Sequence, residues 1–352
     1  MTRHRVLVTG VGGNVGQGVV KALRAGKRQY HIVGVDMEPM SAGFAFTDKK
    51  YIVPRTGSSE FGPVIEDILT QDNPDAVFVC SPTELEYFSL NRDIIKKRWG
   101  TTVLVNPIEI VQTGSDKLMT GKFLKDNGFP YLPTVIASDD MGVEQLIQNE
   151  GFPLIVKPRQ GFSSKNVFLV NSRAEFNAAR VLVKDMIVQR YVPGDEEYTA
   201  GTLSGCDGLV RAVIILRRDL IQGTTYRTEL VRDKKMQKIM VNIVESLGAI
   251  GPCNIQFRVH KGEIYVFEIN PRFSGTTGIR YLYGFNDAEC AFELLHLGKD
   301  MSQPELYNAV VLRYWNEIVL MNSDFSSLGK GSLKNLPKQV TLNISDSWLM
   351  DE

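Results

Sequence analysis

Hydrophobic positions in the first hundred residues follow two alternating rhythms. Apolar runs at residues 5–9, 31–35, 76–80 and 102–105 have the length of buried strands, and the second ends at Asp36. Between them, residues 16–25, 61–70 and 84–99 carry apolar side chains at helical spacing, as in Val64, Ile65, Ile68 and Leu69. Strands separated by helices predict a parallel sheet covered on both faces, a Rossmann-like α/β domain.

The rhythm changes after Asn106-Pro107. A helical pattern at 115–127 precedes strand patterns at 154–157 and 167–170, a helix at 174–184 and a strand at 187–192. Residues 197–216 read as two antiparallel strands, followed by a helix at 233–247 and strands at 253–259 and 264–269. Trp315, within 310–319, is expected in a strand. Residues 326–352 lack strong periodicity and are expected to form a packed tail. The predicted layout is an N-terminal domain at 1–112, a small subdomain at 113–190, a large subdomain at 191–325 and the tail. Its class is α/β followed by α+β.

Composition narrows the function classes. Forty Lys and Arg balance forty Asp and Glu, so no net field draws in nucleic acid or an anionic membrane. Cys80, Cys206, Cys253 and Cys290 are far apart and form no CxxC pair, which argues against structural zinc and suits a reducing compartment. His4, His31, His260 and His296 show no metal-ligand spacing. No apolar run is long enough to span a membrane, and residues 1–10 contain no signal-peptide apolar region. A cytoplasmic protein is expected.

The stretch LVTGVGGNVGQG places Gly10, Gly13 and Gly16 between a strand and a helix. Such a turn lets backbone N–H groups approach a phosphate, and Asp36 would then meet a ribose hydroxyl, as in NAD(P) sites. The same glycines equally serve tight turning and close helix–strand packing. Dehydrogenases with this fingerprint also use a Tyr-x-x-x-Lys pair, and none of the twelve tyrosines has a lysine four positions on. A hydride-transfer reading lacks its catalytic half.

Four later stretches carry more chemistry. SDKLMTGKFLKDNGFPYLPT opens a helix at Asp116-Lys117, and FPLIVKPRQGFSSKNV sets Lys157 at a strand end before a small-residue loop. MIVQRYVPGDEEYT is a strand, a turn and an acidic pair; NIQFRV and VFEINPRFSGT flank a short turn at Lys261-Gly262. Together, and in this order over residues 115–277, they resemble the ATP-grasp superfamily. Within it, the likeness is to carbamoyl-phosphate synthetase large-subunit-like carboxylate–amine ligases. The resemblance implies a Rossmann-like pre-ATP-grasp domain followed by a two-subdomain ATP-grasp fold.

It also implies a site for ATP with Mg2+ (or Mn2+). Triphosphate needs cations at fixed points: Lys117 and Lys157 supply two, and the loop Gly161, Ser163, Ser164, Lys165 supplies backbone and hydroxyl donors. The matching segment puts Gln189, Arg190, Tyr191 and Val192 at the adenine and Glu197 at the ribose, with Glu196 as its rival. Arg190 departs from the glutamate that many members carry there.

Glu268 and Asn270 are two apart on one strand and share a face, which suits oxygen ligation of the metal. Gln256 would join them if the turn were a three-residue loop, Lys261 to Glu263. A two-residue turn would pair Gln256 with Phe267, on the wrong face. Arg272 would stabilise the transferring phosphoryl group, so Lys157 and Arg272 are the expected catalytic residues. Arg217, Arg218 and Arg227 are either contacts for an anionic substrate or solvated.

The implied activity joins a small-molecule carboxylate, activated as an acyl phosphate, to an amine or ammonia. The glycine loop at residues 10–16 would then lie on the substrate side. Alternatives are a carboxylate or carbamate phosphorylation step and, from other classes, an NAD(P)-dependent oxidoreductase or a non-catalytic nucleotide-binding module. The oligomeric state is open, a homodimer being common in the class.

Overall fold

The computed structural model describes residues 3–161, 166–194, 196–314, 316–320 and 339–341. Two compact units emerge. One comprises Met1–Val105, Phe273–Asp300 and Leu312–Glu352; the other comprises Asn106–Arg272 and Met301–Val311.

In the first unit, β1 (His4–Thr9) is followed by α1 (Asn14–Arg24), β2 (Tyr30–Asp36) and β3 (Lys49–Ile52). Then come α2 (Phe61–Asp72), β4 (Ala76–Phe78), α3 (Leu85–Trp99) and β5 (Thr102–Leu104). These five strands form one sheet with parallel pairing throughout, in the order β3-β2-β1-β4-β5. The central strand is covered on both faces, so Val6, Leu7 and Val8 are completely buried. Strand β3, KKYI, was hidden by its two lysines.

The glycine loop closes on itself. Gly10 has φ +57°, and a Cβ on Gly16 would lie 2.2 Å from the Gly10 carbonyl oxygen. Asp36 is buried at the end of β2, where its carboxylate accepts the Gly12 N–H at 2.7 Å and the Glu38 N–H at 2.9 Å. The acidic residue that an NAD(P) reading assigns to a ribose thus serves the loop itself.

The second unit begins with α4 (Ile108–Ser115), α5 (Lys117–Asp126), β6 (Thr134–Ile136) and α6 (Asp140–Glu150). The single helix expected at 115–127 is in fact preceded by α4, and the break falls at Asp116. Its carboxylate caps α5, accepting the Leu118 and Met119 N–H groups at 2.9 and 3.2 Å. Next come β7 (Leu154–Pro158), β8 (Phe168–Val170), α7 (Arg173–Ala179) and β9 (Met186–Arg190). The order is β6-β9-β7-β8, with antiparallel pairing throughout.

A larger sheet follows, from β10 (Glu197–Ser204), β11 (Val210–Ile221), β12 (Thr224–Val231), α8 (Lys234–Leu247), β13 (Gly251–His260) and β14 (Glu263–Asn270). With β15 (Val310–Leu312), its order is β14-β13-β10-β11-β12-β15. One face is apolar: Tyr198, Ala200, Ile215, Ile255, Phe257 and Ile269 pack with Met240, Ile243 and Val244 of α8. Alternation sends Glu197, Thr199, Gln256, Arg258 and Glu268 to the other face.

The expected three-residue loop at Lys261–Glu263 is not what forms. Lys261 and Gly262 make a two-residue turn with φ 51° and 79°, and His260 pairs with Glu263. Two left-handed residues match the twist of the flanking strands, which favours this tight turn. The register then slips by one residue: Phe257 opposes Val266, but Gln256 opposes Glu268. Phe267 is the extra residue of a β-bulge, and it restores the pairing that the tight turn alone would have lost.

The chain returns to the first unit with α9 (Thr277–Arg280) and α10 (Asp287–Leu295). Gly18 of α1 and Gly278 of α9 meet so closely that a Cβ on Gly278 would lie 2.8 Å from the Gly18 Cα. Arg280 and Asp287, both fully buried, pair at 2.6 Å. Strands β16 (Ile318–Leu320) and β17 (Gln339–Thr341) pair antiparallel. Trp315 and most of residues 326–352, which include the expected tail, lie outside the described residues.

Glu84, just before α3, is buried, and its Oε2 has no partner among the described residues. Burial pushes its pKa from 4.5 up to about 7; a hydrogen bond with Thr9 opposes this and the nearby Asp36 charge adds to it. A raised folded pKa means that stability is fully present below pH 4.5 and is lost as pH rises through 7. Glu84→Gln is therefore expected to be more stable than the parent at pH 8, by on the order of 3 kcal/mol at most. The gap should close near pH 4, as read from urea unfolding at both pH values.

Candidate active site

The polar face of the large sheet and the even-spaced positions of the small sheet line one cleft of about 380 Å³, the size of a small-molecule site. In β7, Leu154 and Val156 point into a core with Phe176 and Val143, so Ile155 and Lys157 face the cleft. The cleft walls carry Lys117, Lys157, Arg190, Arg218, Arg258 and Arg272, against the carboxylates Glu197 and Glu268. Leu132, Ile155, Val167 and Val192 contribute apolar wall.

Lys157 is 7% exposed, and its Nζ donates to Gln189 Oε1 at 2.7 Å. Gln189 is held in turn by donation to Thr134 Oγ1 at 2.8 Å. Burial lowers the Lys157 pKa to about 8; Lys117 and Arg258 push the same way, while Glu268 and Glu197 oppose. Its ammonium also lies 5.7 Å from the centre of the Phe267 ring. The bulged residue thus packs beside the buried lysine.

Lys117 donates to the Gly161 carbonyl at 3.1 Å, tying the start of α5 to the loop after β7. Asp116 reinforces this by accepting from Arg159 Nε at 2.7 Å. Burial alone would raise its pKa, but the Arg159 and backbone donors outweigh that and hold it below the usual range. Ser163, Ser164 and Lys165 lie outside the described residues.

The strand end after β9 puts Gln189, Arg190, Tyr191 and Val192 on the cleft wall. Arg190 pairs with Glu150 at 3.2 Å and stacks over Tyr265, 5.0 Å from the ring centre. Of the acidic pair, Glu197 faces the cleft, with Arg218 at 2.5 Å and Arg258 at 3.4 Å. Glu196 turns elsewhere: it accepts from Tyr198 Oη at 2.9 Å and lies 3.9 Å from Arg217.

Glu268 and Gln256, opposite each other in the ladder, both line the cleft. Gln256 Oε1 accepts from Arg218 at 2.7 Å. Asn270 sits beside them, with Oδ1 accepting from Arg272 at 2.9 Å and its Nδ2 without a partner among the described residues. Among the described residues no cluster of three or more His, Cys, Asp or Glu could hold a metal. Glu268 offers cleft-facing oxygens that suit a hard cation, whereas Asn270 is buried next to them, is not among the residues lining the cleft and has its oxygen engaged by Arg272.

Arg218 and Arg258 shape the site more than their sequence context suggested. Arg258 is two residues from Gln256 on one strand, so period-two spacing could have found it. It also donates to the Val192 and Gly194 carbonyls at 3.2 and 3.0 Å, bracing the turn before β10. Arg217 and Arg227 both reach Glu229, Arg217 at 3.1 Å, and neither lines the cleft.

Residues 114–276 match the family model described as "ATP-grasp domain". The carbamoyl phosphate synthase large chain of Pseudothermotoga lettingae is 24% identical over 351 residues, covering 89% of this chain and 29% of that protein. The chain spans 26–29% of the first two curated relatives' length. Among solved structures, N5-carboxyaminoimidazole synthetase from Staphylococcus aureus, complexed with ADP, superposes with TM-score 0.71 at 17% identity. It covers 88% of this chain and 82% of that one. An L-amino acid ligase from Bacillus licheniformis gives TM-score 0.63 at 18% identity, covering 83% and 74%. No helix among the described residues is long and apolar enough to cross a membrane. By family match, fold and the order of its motifs, the stretch 114–276 of this chain is an ATP-grasp domain.

Proposed function

We propose that the cleft binds MgATP and that the chain uses it to activate a small-molecule carboxylate as an acyl phosphate. An amine or ammonia then displaces phosphate to form an amide bond. The observation that carries this reading is the charge inventory: six cations face two carboxylates in a partly apolar cleft. Lys157 and Arg218 are buried there, and cations left in excess in a partly dry cleft are costly, a cost that a polyphosphate would offset. The relatives' names, a carbamoyl phosphate synthase and an amino acid ligase, support the same chemistry.

In this reading Gln189 to Val192 border the adenine and Glu197 accepts from the ribose hydroxyls. Lys117 and Lys157 neutralise phosphate oxygens, with Ser163, Ser164 and Lys165 as further donors. Glu268 and Asn270 would hold Mg2+, with Gln256 beside them; when bound, the ion neutralises phosphate charge. Arg272 stabilises charge on the phosphoryl group as the substrate carboxylate attacks it. The chain's contribution is positioning and charge compensation, so no covalent nucleophile is needed. A cytoplasmic setting belongs to the same proposal.

ADP and phosphate release, measured over a panel of carboxylates with and without amines, tests the activity. Stoichiometric ADP, phosphate and amide are expected; ADP release without an amine requirement would favour a carboxylate or carbamate phosphorylation step. NAD(P)H turnover without ATP would overturn the ligase. Arg272→Met is expected to lower kcat by about 10²–10³, with ADP affinity little changed. Glu268→Ala should abolish Mg-dependent turnover, and normal turnover in that variant would reject the metal assignment.

The Lys157 pKa of about 8 gives a further expectation. Phosphate charge would raise it, so nucleotide binding takes up a proton near pH 8, and affinity, full at lower pH, falls as pH rises beyond that value. Calorimetric titration with ADP in two buffers of different ionisation enthalpy should show that uptake, and Lys157→Met should lose it.

A further inference from the structure

Arg218 occupies an unusual place for a cation. It lies on β11, directly opposite Glu197 of β10, and is 9% exposed. Its Nη2 donates to Glu197 Oε1 at 2.5 Å and also to Gln256 Oε1 at 2.7 Å. Gln256 is on β13, on the far side of β10, so the guanidinium spans the width of that strand. Nη1 reaches Thr225 Oγ1 at 3.3 Å, and Nε has no partner among the described residues.

A buried ion pair made only for stability would be a poor investment, since desolvation offsets much of its attraction. This one also orients two polar groups in the cleft wall. Each Glu197 oxygen has one arginine, Oε1 facing Arg218 and Oε2 facing Arg258, so the plane of the carboxylate is fixed. We infer that Arg218 is a positioning residue that sets Glu197 to accept the ribose hydroxyls and ties it to Gln256 on the phosphate side. This rests on the reading of Glu197 as the ribose partner.

The consequence is a selectivity for the ribose hydroxyls that Arg218 sets through Glu197. The test compares ADP with 2′,3′-dideoxy-ADP, both with Mg2+, by equilibrium calorimetry on the full chain, Glu197→Ala, Arg218→Met and Arg218→Lys. Thermal unfolding of each variant establishes that it is folded. The parent should prefer ADP about tenfold, the worth of one charge-assisted hydrogen bond. Arg218→Met should weaken both ligands through its lost charge but ADP the more, so that the ADP to dideoxy-ADP affinity ratio falls most of the way to one. Arg218→Lys should recover part of the preference.

A merely structural role would weaken both ligands equally and leave their ratio intact. Arg218→Met keeping the parent's ratio, while Glu197→Ala loses it, would overturn the inference and leave the ribose reading standing. A parent with no preference, or a Glu197→Ala variant that keeps it, would overturn both.

Discussion

A strand offers alternate side chains to opposite faces, and the second unit depends on that constraint twice. In each of its sheets one face must be dry and the other must carry charge. The large sheet meets this by burying Tyr198, Phe257 and Ile269 under α8 while Glu197, Arg258 and Glu268 stand on the reverse. The small sheet repeats it with Val156 inward and Lys157 outward. The charged groups are thus held by the same strands whose apolar faces stabilise the fold, and the cleft inherits its rigidity from the cores behind it.

That arrangement places charge where water is scarce, and the polar side chains compensate one another in small linked sets. Lys157, Gln189 and Thr134 form one; Asp116 and Arg159 form another at the start of α5. Glu197 with Arg218 and Arg258 forms a third. Cations remain in excess. A cleft built this way is preorganised for an anion, and its own groups need little rearrangement to receive one.

Much of this was legible in the sequence because it depends on local period. The alternating strands and helices of residues 5–105 and the paired positions Glu268 and Asn270 are of that kind. What escaped depends on partners distant in sequence. Strand β3 is too polar to announce itself, and the helix α4 shares its apolar pattern with α5 until Asp116 interrupts it. For Arg218 the sequence leaves open an anion contact or solvation, and it singles out nothing at Arg258, because only β10 brings Glu197 between them. The turn after β13 escapes for a different reason: turn length alone does not set the pairing, because a bulge further along β14 shifts it by one residue.

Phe267 therefore separates two jobs that a regular hairpin would join. The tip at Lys261-Gly262 is free to adopt the turn its residues prefer, while the stretch from Glu268 onward keeps the phase the cleft requires. Phase is held locally, beside the chemistry, instead of being transmitted down the hairpin from its end. Variation in the exposed tip can then be absorbed without inverting the functional face, whereas straightening the bulge with Phe267 still in the strand would pair Gln256 with Phe267 and turn Glu268 and Asn270 toward the hydrophobic side.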